Sequence, residues 1–279
     1  MPLQTPNPDR SITDRQTARH LAPIRSVLRR SGLLLATALL VACGGGGGGG
    51  GDGGGSGGGS IPPVVDPLII KGRYVTDPNV APAYTVLVVP AAGGGSDQAW
   101  AVSTSGDTLI RLSLTSSLAV TGQRYKLTDP IGRESIMGTA VLEGTASSAS
   151  LRLPGLIAVS SATTLLTRTD RLTDAAVQAT VAGAWTGQFD AGARTLTWTV
   201  ASGGQLTGNS NTGCTYTGSL VARTDASVFD VSFDQTCPTV PTPTTLRFSG
   251  VARPSSASSL TVVAVSADEV VPWVGLMQK

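Results

Sequence analysis

The chain has 279 residues, of which 41% are hydrophobic, so it can bury a substantial core. Its net charge of +2 is unevenly distributed, because residues 1–43 carry six arginines and two aspartates, whereas the remainder carries 14 basic and 16 acidic residues. That remainder has no histidine and no basic block, so it offers no imidazole for a general base, a nucleophilic triad or a zinc site, and no electrostatic footprint for nucleic acid.

The amino-terminal segment has the pattern of an export signal. Arg25, Arg29 and Arg30 form a positively charged flank, and an apolar run over 33–41 follows it. This run is too short to span a bilayer, which needs about 20 apolar residues. We therefore interpret residues 1–42 as a signal peptide that is removed, and not as a transmembrane anchor.

The apolar run ends in Leu40-Val41-Ala42-Cys43, which resembles the lipobox of bacterial lipoproteins. In that family the cysteine thiol is acylated and the chain is cut before it. The resemblance implies a lipid on Cys43 that makes a membrane the partner of this chain, and Gly44 at the next position implies sorting to the outer membrane of a Gram-negative cell. The alternative is a cysteine that follows an ordinary apolar stretch by chance.

Residues 44–60 are glycine apart from Asp52, Ser56 and Ser60. Such a tract is a flexible coil, with a root-mean-square reach of about 20 to 25 Å for this length. It lacks the preceding strand, the Lys-Ser or Lys-Thr end and the following helix of a phosphate-binding loop. We predict a disordered tether over 43–63 that separates the lipid from a folded body.

The rest of the chain is predicted to be all-β. In 194–200, Leu196, Trp198 and Val200 share one face and three threonines share the other, which is typical of an antiparallel strand with one buried face. Segments of this kind recur between turn residues. The predicted strands are 68–75, 84–90, 98–104, 107–114, 137–145, 148–154, 184–189, 194–200, 214–222, 227–235, 244–252, 259–266 and 270–276.

One segment, 173–180, has a helical pattern, in which Thr173 could cap the amino end and Asp174 would favour the first turn. It lies where a boundary between two β units would fall. We therefore predict two small antiparallel barrel or sandwich units joined by this short helix, the first over 64–170 and the second over 171–279.

Cys214 and Cys237 are left as an even pair once Cys43 is assigned to the lipid. An exported protein lies in a compartment that permits disulfides, so we predict a bond between these two cysteines. A redox or metal role is the alternative, and the absence of a further ligand nearby in the sequence argues against it.

The segments around the two cysteines alternate apolar and polar residues, as the strands of a hairpin do. A turn at 223–226 would pair Ala222 with Ser227 and set Tyr216 across from Phe233. This register brings the cysteines together at the open end of the hairpin, where a disulfide would staple it.

The second unit opens with Gly183-Ala184-Trp185-Thr186-Gly187 and holds one cysteine pair. Together with the glycine tether, this pattern resembles an uncharacterised family of Gram-negative surface lipoproteins that join such a tether to two β units. The resemblance covers 43–60 and 183–279, and it implies no activity. Gly183-x-Trp185 also resembles the first strand of a lipocalin, in which the tryptophan plugs the closed end of a barrel. A core tryptophan at the head of any β unit is the alternative.

No catalytic constellation stands out after the signal segment, which contains the only histidine, His20. Asp230 and Asp234 share a strand face, and Asp268 and Glu269 are adjacent, which leaves acid-base chemistry by paired carboxylates open in principle. Solvated surface is the simpler interpretation of both pairs. We therefore predict no enzyme, no cofactor and no bound metal.

Two classes of function stay open. The first is a surface structural or interaction protein whose polar strand faces meet another protein. The second is a lipocalin-like carrier, in which Trp185, Trp198, Tyr216 and Phe233 line a cavity for a small apolar ligand. An enclosed cavity of at least about 300 Å³ would favour the carrier, whereas an interior packed with these rings would favour the first class.

Overall fold

The computed structural model describes residues 70–91, 95–144, 148–157, 163–189, 194–239 and 241–279, and all of them belong to one compact unit. These residues form seventeen β-strands and a single 3-10 turn. The prediction of an all-β protein is therefore confirmed. The lipobox, Cys43 and the glycine tether lie outside the described residues, so the predictions about them stay predictions.

The first nine strands form one antiparallel sheet. Each strand pairs with the next along the chain from β1 to β6 and from β7 to β9, and β1 also pairs with β9. Its inner face buries apolar side chains such as Tyr74, Ile110 and Leu151. The strands are β1 (Gly72–Thr76), β2 (Tyr84–Val89), β3 (Asp97–Ser103), β4 (Thr108–Leu114), β5 (Ala119–Lys126), β6 (Asp129–Thr139), β7 (Val141–Glu143), β8 (Ser150–Pro154) and β9 (Thr163–Asp170).

One bent segment of chain joins the two edges of this sheet. A single residue, Ala140, separates β6 from β7; it is buried, and its N–H donates to the carbonyl of Leu118 at 2.8 Å. β6 pairs with β5, whereas β7 pairs with β8 at the opposite edge. The sheet therefore curls into a barrel-like unit, here called the first barrel, and the chain itself completes its circumference.

The remaining strands close into an eight-stranded antiparallel barrel, here called the second barrel, because β10 pairs with β17. Large side chains occupy its interior, among them Trp185, Trp198 and Trp273. The strands are β10 (Gly183–Phe189), β11 (Arg194–Val200), β12 (Gln205–Ser210), β13 (Thr215–Ala222), β14 (Phe229–Cys237), β15 (Thr244–Ser256), β16 (Ser259–Ser266) and β17 (Pro272–Gln278).

The two barrels pack against each other through their outer faces. Leu87 and Trp100 of the first barrel and Val251, Val263 and Val274 of the second belong to one cluster of buried side chains, here called the inter-barrel core. Most residues of β2 and β16 are therefore buried, because one face of each strand points into its own barrel and the other into this shared core. The two barrels are separate sheets with a common interface.

The predicted joining helix is wrong, because 173–180 holds only a 3-10 turn at Gln178–Thr180 without a side-chain cap. Gln178 instead anchors this segment to β13. Its side chain accepts the N–H of Ala222 at 2.9 Å and donates to the carbonyl of Leu220 at 3.0 Å. These tertiary hydrogen bonds hold the segment in place, so a propensity for helix read from eight residues does not decide its conformation.

Three strands, β5, β9 and β12, escape the sequence prediction, and β6 is predicted only in its last three residues. The predicted strand 137–145 covers the end of β6, the break at Ala140 and β7. In β5 the alternation is interrupted by Gly122 and by Arg124, which is only 5% exposed. Two nitrogens of Arg124, Nη1 and Nη2, have partners in the carboxylate of Glu134 at 3.0 Å and the carbonyl of Gly155. A buried arginine with these partners occupies a core position that a polar residue in the sequence does not indicate.

Candidate functional site in the cleft between the barrels

Cys214 and Cys237 form the predicted disulfide, which links residues 23 apart in the sequence. Replacing both by alanine is expected to lower the free energy of unfolding by about 3 kcal/mol, because the cross-link no longer restricts the unfolded chain. Urea unfolding of the double variant against the intact protein measures this loss. Reducing the intact protein should lower its urea midpoint of unfolding as much as the substitution does. An unchanged urea midpoint would contradict the prediction.

The hairpin that carries this disulfide is two residues out of the predicted register. Ala222 pairs with Phe229 and not with Ser227. The turn over 223–228 is longer than expected because two of its apolar side chains enter the inter-barrel core. A shift of two residues keeps every side chain on its predicted face, so the buried and exposed positions are unchanged.

The four aromatic residues considered as cavity lining lie inside the second barrel. Trp185, Trp198, Tyr216 and Phe233 are each no more than 1% exposed. Trp198 lies 6.0 Å from Tyr216 and 5.3 Å from Phe233 between ring centroids, and it stacks on Trp273 at 5.0 Å. The indole N–H of Trp185 donates to a backbone carbonyl at 2.7 Å. The rings of Trp198, Tyr216, Phe233 and Trp273 therefore contact one another across the interior.

The carboxylates considered for catalysis take part in ion pairs and turns. Asp230 and Asp234 bind different arginines, at 3.4 and 2.9 Å, and the hydrogen bond from Arg247 lowers the pKa of Asp234. Asp268 accepts a backbone N–H of its own turn at 3.3 Å, and Glu269 pairs with an arginine of the first barrel. Across the described ranges no cluster of three or more His, Cys, Asp or Glu side chains could hold a metal ion, and no helix is long and apolar enough to cross a membrane.

A cleft of about 280 Å³ lies between the barrels, beside the inter-barrel core. Each barrel contributes a row of residues that are paired across three neighbouring strands. Residues paired in this way point to the same face of a sheet, so each row forms one continuous surface. The rows are Arg73, Leu87 and Trp100 on the first barrel, and Arg253, Thr261 and Leu276 on the second.

Two arginines, one from each barrel, meet at this cleft. Arg253 forms an ion pair with Asp170, and Nη1 of Arg73 donates to Oγ1 of Thr169 at 2.9 Å. Burial and the positive charge of Arg253 lower the pKa of Arg73, against the opposing effect of Asp170. The Nε of Arg253 is buried and has no hydrogen-bond partner among the described residues. The pair of arginines therefore shares one carboxylate and keeps one donor unused.

The other lining residues of the cleft are apolar side chains and hydroxyls. Trp100 is 2% exposed, and within the described part of the chain its indole N–H has no acceptor. The guanidinium of Arg111 lies 5.3 Å from its ring. Leu276 is 52% exposed and keeps apolar surface accessible. The lining hydroxyls are those of Thr85, Ser103, Thr104, Ser255 and Thr261.

A second polar cluster also links the barrels, but its groups have partners. Lys71, only 3% exposed, donates to the carbonyl of Asp225. Arg223 binds the carboxylate of Asp225 at 2.8 Å, which raises the pKa of Arg223 and lowers that of Asp225. Burial raises the pKa of the nearby Asp97. This cluster fastens the interface, whereas the cleft is lined by two arginines and by no carboxylate.

Comparison with known proteins adds little to this picture. No protein-family model and no curated protein matches the chain. A similar solved structure is that of a protein of unknown function from the DUF3598 family of Nostoc punctiforme. It is 11% identical, covers 75% of this chain and 94% of its own, and has a TM-score of 0.21. A likeness at this level supports no functional conclusion.

Sequence reasoning missed the cleft residues Arg73, Trp100 and Arg253. A partial signal exists, because β2 and β16 contain uninterrupted apolar runs, Val86–Val89 and Val262–Val265, and such runs are typical of strands buried on both faces. These runs could have indicated that the outer face of each barrel is covered by another part of the protein. The two arginines carry no such signal, because they are far apart in the sequence and meet only through the packing of the barrels.

Proposed function

We propose that this chain is a lipid-anchored protein of the bacterial cell envelope whose double-barrel body binds a partner and catalyses no reaction. The observation that carries the proposal is the succession of a charged flank, a short apolar run, Leu40-Val41-Ala42-Cys43 and a glycine tract. In this arrangement the tether holds the body clear of the lipid headgroups. The outer membrane is the proposed compartment, on account of Gly44.

The disulfide supports export. Structural disulfides persist in oxidising compartments and are rare in the bacterial cytoplasm. Cys214 and Cys237 are bonded to each other in the second barrel, which leaves Cys43 as the one remaining cysteine of the chain. The proposed lipid accounts for that third cysteine, so the mature protein is expected to contain no free thiol.

A binding role on the outer surface has more support than a carrier role inside a barrel. Trp185, Trp198, Tyr216 and Phe233 were considered as the walls of a cavity. The rings of Trp198, Tyr216 and Phe233 pack on one another, and Trp185 is buried in the same cluster. The lipocalin-like carrier stays the alternative hypothesis. The cleft between the barrels is the place where the body presents two arginine side chains and apolar surface together.

The anchor is tested by replacing Cys43 with alanine. We expect the variant to take up no radiolabelled palmitate and to leave the membrane fraction or to accumulate uncut, because the thiol that accepts the lipid is gone. Metabolic labelling and fractionation of cells measure both effects. Asp52→Ala, in the tether, is the matched control and should stay labelled and membrane-bound.

Two results would contradict the anchor. One is palmitate labelling of Cys43→Ala at the level of the unmodified chain. The other is recovery, from the mature envelope protein, of an intact peptide that spans the junction between Ala42 and Cys43 without fatty acids.

A further inference from the structure

The cleft between the barrels has the size of a small-molecule site. Its volume of about 280 Å³ is close to the lower end of ligand pockets, which begin at about 300 Å³. Rigid strands of both barrels form its walls, and the inter-barrel core holds these strands together. A site on packed strands is preformed, so little ordering opposes binding.

The charge of the cleft fits an anion. Its titratable lining residues are Arg73 and Arg253, and no carboxylate is among the lining residues. Two carboxylates lie behind the lining: Asp170 pairs with Arg253, and Asp107 accepts from the hydroxyl of Ser103 at 2.7 Å. The wall of the cleft therefore carries positive charge only. An oxyanion placed in the cleft would supply a negative charge and accept hydrogen bonds from the guanidinium groups that line it.

The remaining surface of the cleft fits an apolar group. Leu87, Trp100 and Val263 line it, and the exposed part of Leu276 extends the apolar surface outward. A purely ionic ligand would leave this surface in contact with water, whereas a hydrocarbon group attached to the anion would cover it. The two features lie in one cleft, so one ligand can satisfy both.

We propose that the cleft binds a small anionic amphiphile, with a carboxylate or phosphate group held by Arg73 and Arg253 and a short hydrocarbon part against Leu87, Trp100 and Val263. The ligand lies outside both barrels, at their junction. The proposal rests on the proposed binding role of the body. It is independent of the lipid on Cys43. A failed acyl-labelling experiment would therefore contradict only the anchor, and a failed binding experiment would contradict only the ligand.

The test uses 8-anilinonaphthalene-1-sulfonate, a fluorescent anion with an apolar ring system. It is titrated into the full chain carrying Cys43→Ala, which needs no detergent that would itself take up the probe. We expect saturable binding that Arg73→Gln or Arg253→Gln weakens by about tenfold or more, because each removes charge-assisted hydrogen bonds. Arg247→Gln is the matched control, because Arg247 is 71% exposed and pairs with Asp234 on the second barrel. It should leave the affinity unchanged.

A second variant separates loss of binding from loss of folding. Thr261→Phe keeps both arginines and fills the cleft from β16, so it should abolish binding while the thermal midpoint stays near that of the parent chain. The neutral analogue N-phenyl-1-naphthylamine should bind far more weakly than the sulfonate. Displacement of the sulfonate by octanoate or by octyl phosphate, but not by octanol, supports the site and identifies its preferred head group.

Four outcomes overturn the proposal. Three of them are unchanged affinity in both Arg73→Gln and Arg253→Gln, equal binding of the neutral analogue, and undiminished binding to folded Thr261→Phe. Displacement by octanol as effective as that by octanoate has the same consequence, because the arginines would then contribute nothing to recognition. None of these outcomes bears on the acylation of Cys43.

Discussion

Replacing Trp198 by alanine is expected to lower the free energy of unfolding by about 4 kcal/mol, which is the usual cost of removing a large aromatic side chain from a packed core. Trp198 is fully buried, stacks on Trp273 with an interplanar angle of 5°, and contacts Phe233 and Tyr216 edge-on. The alanine would leave a cavity that these rings cannot fill without moving. Urea unfolding followed by far-ultraviolet circular dichroism measures the loss.

The size of this loss also discriminates between the two classes of function. A ring that lines an existing cavity has few contacts on one side, so its removal costs less than removal of a ring packed all round. Thr199→Ala, on the exposed face of the same strand, is the matched control and should change stability by no more than about 0.5 kcal/mol. A loss below about 1 kcal/mol for Trp198→Ala would favour the carrier hypothesis over a packed interior.

Replacing Val274 by aspartate should have an effect of similar size on the interface between the barrels. Val274 is 3% exposed, lies in the inter-barrel core and pairs with Val263 of β16. A carboxylate there would be buried without a partner, and we expect a loss of about 3 to 5 kcal/mol at neutral pH. The outer faces of the two barrels would then no longer form an apolar contact.

The pH dependence gives this prediction a sharper test. Burial raises the pKa of the introduced carboxyl above its unfolded value, so the folded variant binds its proton more tightly than the unfolded chain does. Its stability relative to the parent should therefore fall as the pH rises from about 4 to about 7. Urea midpoints at both pH values measure the difference. Thr199→Asp, exposed on β11, is the control, and an equal effect of the two substitutions would mean that the first barrel does not cover Val274.

Strand positions could be predicted where burial is one-sided. Arg194–Val200 was predicted to its observed bounds, because Leu196, Trp198 and Val200 face the barrel interior and threonines face outward. The alternation fails in β12, where Leu206 is the one large apolar residue. Gly208 takes the inward position between Leu206 and Ser210. A side chain at Gly208 would collide with Trp198 of the neighbouring strand, so the core position is occupied from across the sheet. The sequence of β12 alone does not contain that information.

The candidate site could not be predicted because it depends on the packing of two complete barrels. Arg73 falls inside the predicted strand 68–75 with nothing to distinguish it, and Arg253 falls just after the predicted strand 244–252, whereas β15 extends to Ser256. Each becomes part of a site only when the rows Arg73–Leu87–Trp100 and Arg253–Thr261–Leu276 line the same cleft. The rows come together because residues of β2 and β16 belong to one buried cluster. The contacts in that cluster join residues that are distant in the chain.

The amino-acid sequence by itself determined the all-β class, most of the strands and the partnership of Cys214 with Cys237. These features follow from local rules, since side chains alternate with a period of two along a strand and an even pair of cysteines has one possible bond. Only the tertiary structure decided the replacement of the helix at 173–180 by a 3-10 turn, the register of the hairpin and the meeting of two arginines at one cleft. Each of these is decided by contacts with side chains that lie far away in the sequence, which no local pattern records.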